Sequence, residues 1–300
     1  MSNTLEIIAQ DNNLCGEGPI WDASLGRLLW TDAEDTLVYQ FFPESGEKSV
    51  LCRDVQVAGI ALNQTGELVF SGPNGLTLWR APSDYRQLIA EYEGESLSFN
   101  DLIADPAGRV YVGSYYWGEN GMEKYGKLYL VDTNGALRVV DEGIELANGL
   151  GFSPDDRTLY FSDSAARRIY AYDIHPQTGE LSHKRLFVQV PREEGLPDGL
   201  TVDSQGFVWS AQWYGSQVVR YDPDGKVERR IEMPVRQVSS VAFGGPDLMD
   251  LYITSAGASW PSPLAPPGYD FQAPNMGGSL YRLRLDIPGR AEHRAKLSCA

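Results

Sequence analysis

Apolar and polar positions alternate along this chain in short bursts, and the bursts recur. Apolar strand starts return at intervals of roughly 40 to 50 residues, the period of propeller blades. Six stand at Gly16-Glu17-Gly18-Pro19-Ile20-Trp21, Val57-Ala58-Gly59-Ile60-Ala61-Leu62, Phe99-Asn100-Asp101-Leu102-Ile103, Ala147-Asn148-Gly149-Leu150-Gly151-Phe152, Pro197-Asp198-Gly199-Leu200-Thr201-Val202 and Val238-Ser239-Ser240-Val241-Ala242-Phe243. A turn follows each start, as in Asp105-Pro106-Ala107-Gly108-Arg109, with the Asp, Asn, Pro or Gly that hairpins use. A second strand rich in aromatic and β-branched residues comes next (Leu28-Leu29-Trp30-Thr31-Asp32, Leu159-Tyr160-Phe161-Ser162-Asp163), then a third (Arg168-Ile169-Tyr170-Ala171-Tyr172) and a weaker fourth. No stretch reads as a long amphipathic helix. The pattern predicts an all-β six-bladed β-propeller, one domain over residues 1–300, with blades starting near residues 16, 57, 99, 147, 197 and 238.

Three segments fall outside the repeat. An open ring would leave a weak seam between first and last blades, so Leu5-Glu6-Ile7-Ile8-Ala9 is predicted to add an outer strand to the sixth blade. Tyr115 to Tyr125 lengthens the third unit, and Ala256 to Met276, rich in Pro, Gly, Ser and aromatics, lengthens the sixth. Long loops on a regular scaffold are where substrate contacts concentrate.

The repeat makes distant residues neighbours, because the innermost strand of every blade runs along one central channel. Aligning the six starts puts Glu17, Ala58, Asn100, Asn148, Asp198 and Ser239 at one level of that channel. Taken singly, Asn-Gly and Asp-Gly are turn dipeptides. Their shared place in the repeat argues instead for chemistry. Four of the six carry oxygen donors, two of them carboxylates, with no Lys or Arg at the aligned positions, and a bound divalent cation would compensate that crowding. Oxygen donors without His or Cys suit Ca²⁺, Mg²⁺ or Mn²⁺, and Zn²⁺ or Fe²⁺ less naturally. Asp32 and Asp163, at second-strand ends, read as hairpin or inter-blade structural residues.

Composition changes this picture little. With 42% hydrophobic and 22% charged residues, 31 Gly and 18 Pro, the chain reads as a turn-rich soluble β protein. A formal charge of −16 and the lack of a Lys/Arg cluster exclude nucleic acid as a partner. No apolar run of membrane-spanning length is present, and no basic segment followed by an apolar one opens the chain. Three cysteines (Cys15, Cys52, Cys299) do not make a secreted disulfide framework, so a cytoplasmic protein, monomer or weak dimer, is expected. His175, His183 and His293 lie in or near outer turns, which argues against a His-based triad or metal cage, and the Gly-rich stretches are hairpin turns, not phosphate loops.

Gly16-Glu17-Gly18-Pro19-Ile20-Trp21, Phe99-Asn100-Asp101 with Asp105-Pro106-Ala107-Gly108-Arg109, Ala147-Asn148-Gly149-Leu150-Gly151-Phe152-Ser153-Pro154-Asp155, Pro197-Asp198-Gly199-Leu200 and Ala242-Phe243-Gly244-Gly245-Pro246-Asp247 together resemble the senescence marker protein (regucalcin)/gluconolactonase family of six-bladed propeller lactonases. The resemblance spans nearly the whole chain. It implies hydrolysis of a lactone, usually an aldonolactone, with metal ligands at Glu17, Asn148 and Asp198 and a channel asparagine at Asn100. The family's substrate-contacting Arg falls on Ser98, which lacks the guanidinium fork. The expected mechanism pairs the metal as Lewis acid with Asp198 as general base, and Asn100 orients substrate or water. Tyr115, Trp117, Glu119, Trp213 and Tyr214 are expected over the channel mouth as substrate contacts. Two other readings stay open: an arylesterase-like hydrolase on the same metal site, and a non-catalytic cation-binding propeller.

Overall fold

Four-stranded antiparallel sheets account for nearly all the regular structure of the computed structural model, which describes residues 4–53, 55–118, 121–259 and 261–298. Blade one contains Gly16–Asp22, Arg27–Asp32, Leu37–Phe42 and Glu47–Cys52, paired in chain order. Blades two to five repeat the plan, their innermost strands being Gly59–Leu62, Phe99–Ala104, Ala147–Phe152 and Leu196–Val202. Innermost and second strands are buried almost throughout, whereas fourth strands such as Leu181–Gln189 are mostly exposed. Hence the apolar runs are strongest near the axis and fade outward.

Blade six is assembled from both ends of the chain. Val238–Gly244, Asp250–Ser255 and Leu280–Arg284 supply three strands, and Leu5–Ala9 pairs antiparallel with the last as the outermost. Leu5 lies opposite Leu283 and Ile7 opposite Tyr281, and Glu6 accepts two hydrogen bonds from Arg282, from Nε at 3.2 Å and Nη2 at 2.6 Å. The sheets form a six-bladed β-propeller.

Each junction between adjacent blades has its own apolar cluster. Trp21, Leu28 and Trp30 of blade one meet Tyr252 and Leu280 of blade six, and Trp209 and Val218 of blade five meet Phe243 and Ile253. Burying a large apolar side chain contributes about 1.5–3 kcal/mol, so every seam is held by several such terms and none is a weak edge.

The C-terminal segment after Arg284 has no periodicity in sequence, yet it crosses the far face of the ring and touches every blade. The Ser204 N–H donates to Pro288 O (3.0 Å), Gly289 N–H to Leu248 O (2.8 Å), and Arg290 Nη1 to Ser153 O (2.7 Å). Arg294 Nη2 reaches Asp22 Oδ1 (2.7 Å), Gln64 N–H donates to Ala295 O (2.8 Å), and Lys296 N–H donates to Gly108 O (2.8 Å). Buried Asn63 exchanges hydrogen bonds with the Leu297 backbone, and Leu297 and Ala295 enter the apolar cluster of blades two and three.

Candidate active site

The innermost strands all start at one end of the channel, and there the aligned side chains meet. Glu17, Ala58, Asn100, Asn148 and Asp198 line a single cavity of about 700 Å³, while Ser239 does not. Ser239 instead donates its hydroxyl to the Gly16 carbonyl.

Two features fix these residues on the channel wall. The ladder between innermost and second strands breaks at the aligned residue in five blades, just past Glu17 and around the others, between Glu17 and Ile20, Phe99 and Leu102, Ala147 and Leu150, Pro197 and Leu200, and Val238 and Val241. Such a break re-aims side chains out of the sheet. Polar side chains of one blade also hold backbone carbonyls of the next. Thr31 Oγ1 donates to Val57 O (2.8 Å), Ser71 to Asn100 O, Asn100 Nδ2 to Ala147 O (2.8 Å) and Ser164 Oγ to Pro197 O (2.6 Å). Asn100 thus commits an amide N–H to its neighbour and keeps Oδ1 as an acceptor.

The electrostatics are one-sided. Glu17, Asn148 and Asp198 are 8%, 7% and 3% exposed, and among the described residues only the Gly18 N–H, 3.3 Å from Glu17 Oε2, satisfies any of these side-chain oxygens. Burial first, then the neighbouring charges of Asp198 and Asp101, pushes Glu17 well above the usual carboxylate range. Burial and Asp101 do the same to Asp198. Asp101, further down the channel, is pushed up to about 7 by burial. Cys15, on the cavity wall, is raised by burial and by the charges of Glu17 and Asp198, so it is a thiol and not a thiolate.

Two buried carboxylates and an amide oxygen, short of protein donors and facing open space, fit a hard divalent cation. Among the described residues no three His, Cys, Asp or Glu side chains converge, and a cation there would be held by carboxylate and amide oxygens together.

The remaining candidates divide. Tyr115, Trp117 and Trp213 line the cavity. Trp117 is pinned by its Nε1–H to Glu145 O (2.7 Å), and Trp213 packs edge-on against Tyr214 at 6.0 Å. Ser98 does not line the cavity; its hydroxyl bonds to Tyr115 and bears on the cavity through that ring. Glu119 lies outside the described residues. Sequence reasoning missed Glu34, Gln56 and Ser164 on the walls, none of which stands at the aligned position of the repeat.

The long insertion of blade six roofs the mouth with Pro261, Ser262, Pro263 and Leu264. Arg167, in a left-handed backbone conformation (φ 57°), donates to Gly195 O and Leu264 O, and Arg192 reaches Pro263 O. Tyr214 (φ 67°) packs on Tyr269 and Phe271 of the same insertion. The arginines nearest the roof are therefore tied to backbone.

Comparison with known proteins agrees with this architecture. The chain is 38% identical over 280 residues, 93% of it and 94% of the relative, to the pentonolactonase XacC of Haloferax volcanii. It is 31% identical over 305 residues, 97% and 98% of the two chains, to the 6-deoxy-6-sulfogluconolactonase of Pseudomonas putida. A solved regucalcin from Agrobacterium tumefaciens strain C58, described as a calcium-binding protein, superposes with a TM-score of 0.85 at 26% identity over 98% of each chain. The family model of the SMP-30/gluconolactonase/LRE-like region matches residues 15–257, so the chain belongs to that family and is a lactonase.

Proposed function

We propose that this lactonase opens the lactone of a sugar acid and depends on a divalent cation held by Glu17, Asn148 and Asp198, with Asp198 also the general base. The observation that supports this reading most is the Asp198 carboxylate, 3% exposed on the cavity wall and free of protein donors among the described residues. The cation, when bound, supplies Lewis acidity at the lactone carbonyl oxygen. Asp198 accepts the proton of the attacking water as its oxygen bonds to the carbonyl carbon, and returns a proton to the ring oxygen as the ring C–O bond breaks. The product is an open-chain hydroxy acid. Asn100 Oδ1 accepts from a substrate hydroxyl or from that water, its amide being held by Ala147 O. Tyr115, Trp117 and Trp213 offer aromatic faces to the apolar side of a sugar ring.

The test is hydrolysis of aldonolactones by the intact protein before and after chelation. Thorough cation removal, or Asp198→Ala, is expected to lower kcat by about 10²–10⁴-fold. Undiminished activity in either would refute the proposal, and aryl esters hydrolysed faster than sugar lactones would favour an arylesterase-like activity on the same residues.

A further inference from the structure

We propose that Asp32 and Asp163 are positioning residues for the cation site, each tying down from within its own blade the stretch of chain that carries a ligand. This rests on the reading of Glu17 and Asn148 as ligands. Asp32 Oδ2 accepts from the Leu14 N–H at 2.8 Å and Oδ1 from the Cys15 N–H at 2.9 Å, and Glu17 follows two residues later. Asp163 Oδ1 accepts from the Leu146 N–H at 2.9 Å, the Glu145 N–H lies 3.2 Å from both Oδ1 and Oδ2, and Asn148 again follows two residues after Leu146. The construction is the same in blades one and four. Both carboxylates also hold their own hairpins, as expected from their place at strand ends. Asp32 accepts from the Glu34 N–H at 3.4 Å, and Asp163 accepts from the Ala166 N–H.

The register shows how selective the placement is. Asp32 lies opposite Gly16 and Asp163 opposite Ala147, each one residue before the aligned position. At the same place blade three has Ser114, blade five Gln212 and blade six Ser255. Among these five blades an aspartate thus stands there only where the aligned residue is Glu17 or Asn148. Asp198 is reached differently, through Pro197, whose carbonyl Ser164 holds from blade four.

Two further observations separate these aspartates from ordinary structural acids. Asp105 and Asp203, at the other end of the sheets, are neutralised by Arg109 and Arg220. Asp32 and Asp163 have no ion pair among the described residues and bind backbone N–H groups alone. The ladder also breaks at both ligands, just past Glu17 and around Asn148, so strand pairing is interrupted where they sit. A carboxylate accepting two N–H bonds just upstream replaces that hold.

The hydrogen-bond arrangement gives an asymmetric test. Asp32 uses both oxygens, so Asp32→Asn sets an amide N–H against a backbone N–H. Asp163 serves the Leu146 N–H from Oδ1 alone and shares the Glu145 N–H between its two oxygens, so Asp163→Asn keeps an acceptor for both through Oδ1 and Asp163→Ala loses both. Mn²⁺ binding to chelator-stripped full-length protein is measured by titration calorimetry, with thermal unfolding of the same metal-free samples. Asp32→Asn and Asp163→Ala are expected to weaken Mn²⁺ binding about 10–100-fold, and Asp163→Asn by no more than about threefold. Asp155→Ala, in an exposed turn, is expected to bind as wild type does. Mn²⁺ affinity unchanged in Asp32→Asn and Asp163→Ala, with only the unfolding temperature lowered, would overturn the proposal. Should Asp32→Asn fail to fold, the Asp163→Ala and Asp163→Asn pair decides it. Wild-type protein that binds no Mn²⁺ would instead overturn the cation reading on which it rests.

Discussion

Without the proposed cation, the fold's stability is expected to fall as pH rises from 5 to 8. Asp101 is pushed up to about 7 and Asp163 to about 6, both chiefly by burial; Glu17 is raised by burial and the charges of Asp198 and Asp101, and Asp198 by burial and the charge of Asp101. A carboxyl whose pKa is higher in the folded state favours folding fully at pH below its unfolded value near 4, and that contribution is lost as pH climbs through the folded value. At about 1.4 kcal/mol per pKa unit, Asp101 loses about 3 kcal/mol between pH 5 and 7, and Asp163 about 1 kcal/mol between pH 5 and 6. Glu67 and Asp247, lowered to about 2 by Arg80 and Arg284, change only below about pH 5 and leave this window alone. A loss of about 4 kcal/mol corresponds to a Tm drop on the order of 10 °C for a chain of this size. The cation reverses the trend, because it binds the ionised forms of Glu17 and Asp198 and so binds more tightly as pH rises. Scanning fluorimetry of chelated protein from pH 5 to 8, with and without added Mn²⁺, checks both parts. A Tm that is flat or rises over this range without metal, or a Mn²⁺-induced increment that is the same at pH 5 and pH 8, would refute the reasoning.

Gly199→Ala would place a methyl group 2.0 Å from Ser240 Oγ, forcing blades five and six apart beside Asp198; a fall of about tenfold or more in kcat/KM is expected, read by lactone hydrolysis. Deleting residues 1–10 removes the outer strand of blade six and exposes Tyr281 and Leu283, so urea unfolding should show a loss of at least about 2 kcal/mol. The charged side chains among the described residues lining the cavity are Glu17, Glu34 and Asp198, with no Lys, Arg or His. An uncharged sugar lactone should therefore be hydrolysed about tenfold or more faster than its 6-sulfo or 6-phospho counterpart at low salt, the gap narrowing as salt is added; parallel kcat/KM measurements at two ionic strengths check this.

The blades were legible in the sequence because the strands that build them repeat a buried apolar pattern between turn residues, and the pattern is strongest where burial is deepest. The aligned oxygen donors were legible for the same reason, since a shared place in a repeat becomes a shared level on the axis. What the dipeptides mean was harder to read. Asn148-Gly149 and Asp198-Gly199 have the composition of turns, yet both lie inside strands, and their glycines are needed because the next blade's backbone comes close. A Cβ on Gly149 would sit 2.3 Å from the Leu200 nitrogen. The anchoring by Asp32 and Asp163 depends on strand register, and the passage of the C-terminal segment over six blades depends on individual hydrogen bonds; neither leaves a periodic trace.

The two ends of the channel are finished by unlike means, and this makes the site directional. At the mouth, the innermost strands begin, the ladder breaks, and the oxygen donors face a cavity of about 700 Å³ roofed by the insertion of blade six. A few residues further along the same strands, Ile20, Ile60, Leu102, Leu150 and Leu200 narrow the channel to a pocket of about 50 Å³, and Glu292 of the C-terminal segment stands at its wall with Asp101. Burial raises both of these acids. A protonated acid in this narrow neck adds no negative charge behind the proposed cation site, whereas an ionised one would compete for the same counter-charge. The segment that ties all six blades together thus also lines the far end of the channel, and the wide roofed mouth is the approach expected for a lactone and the exit for its anionic product.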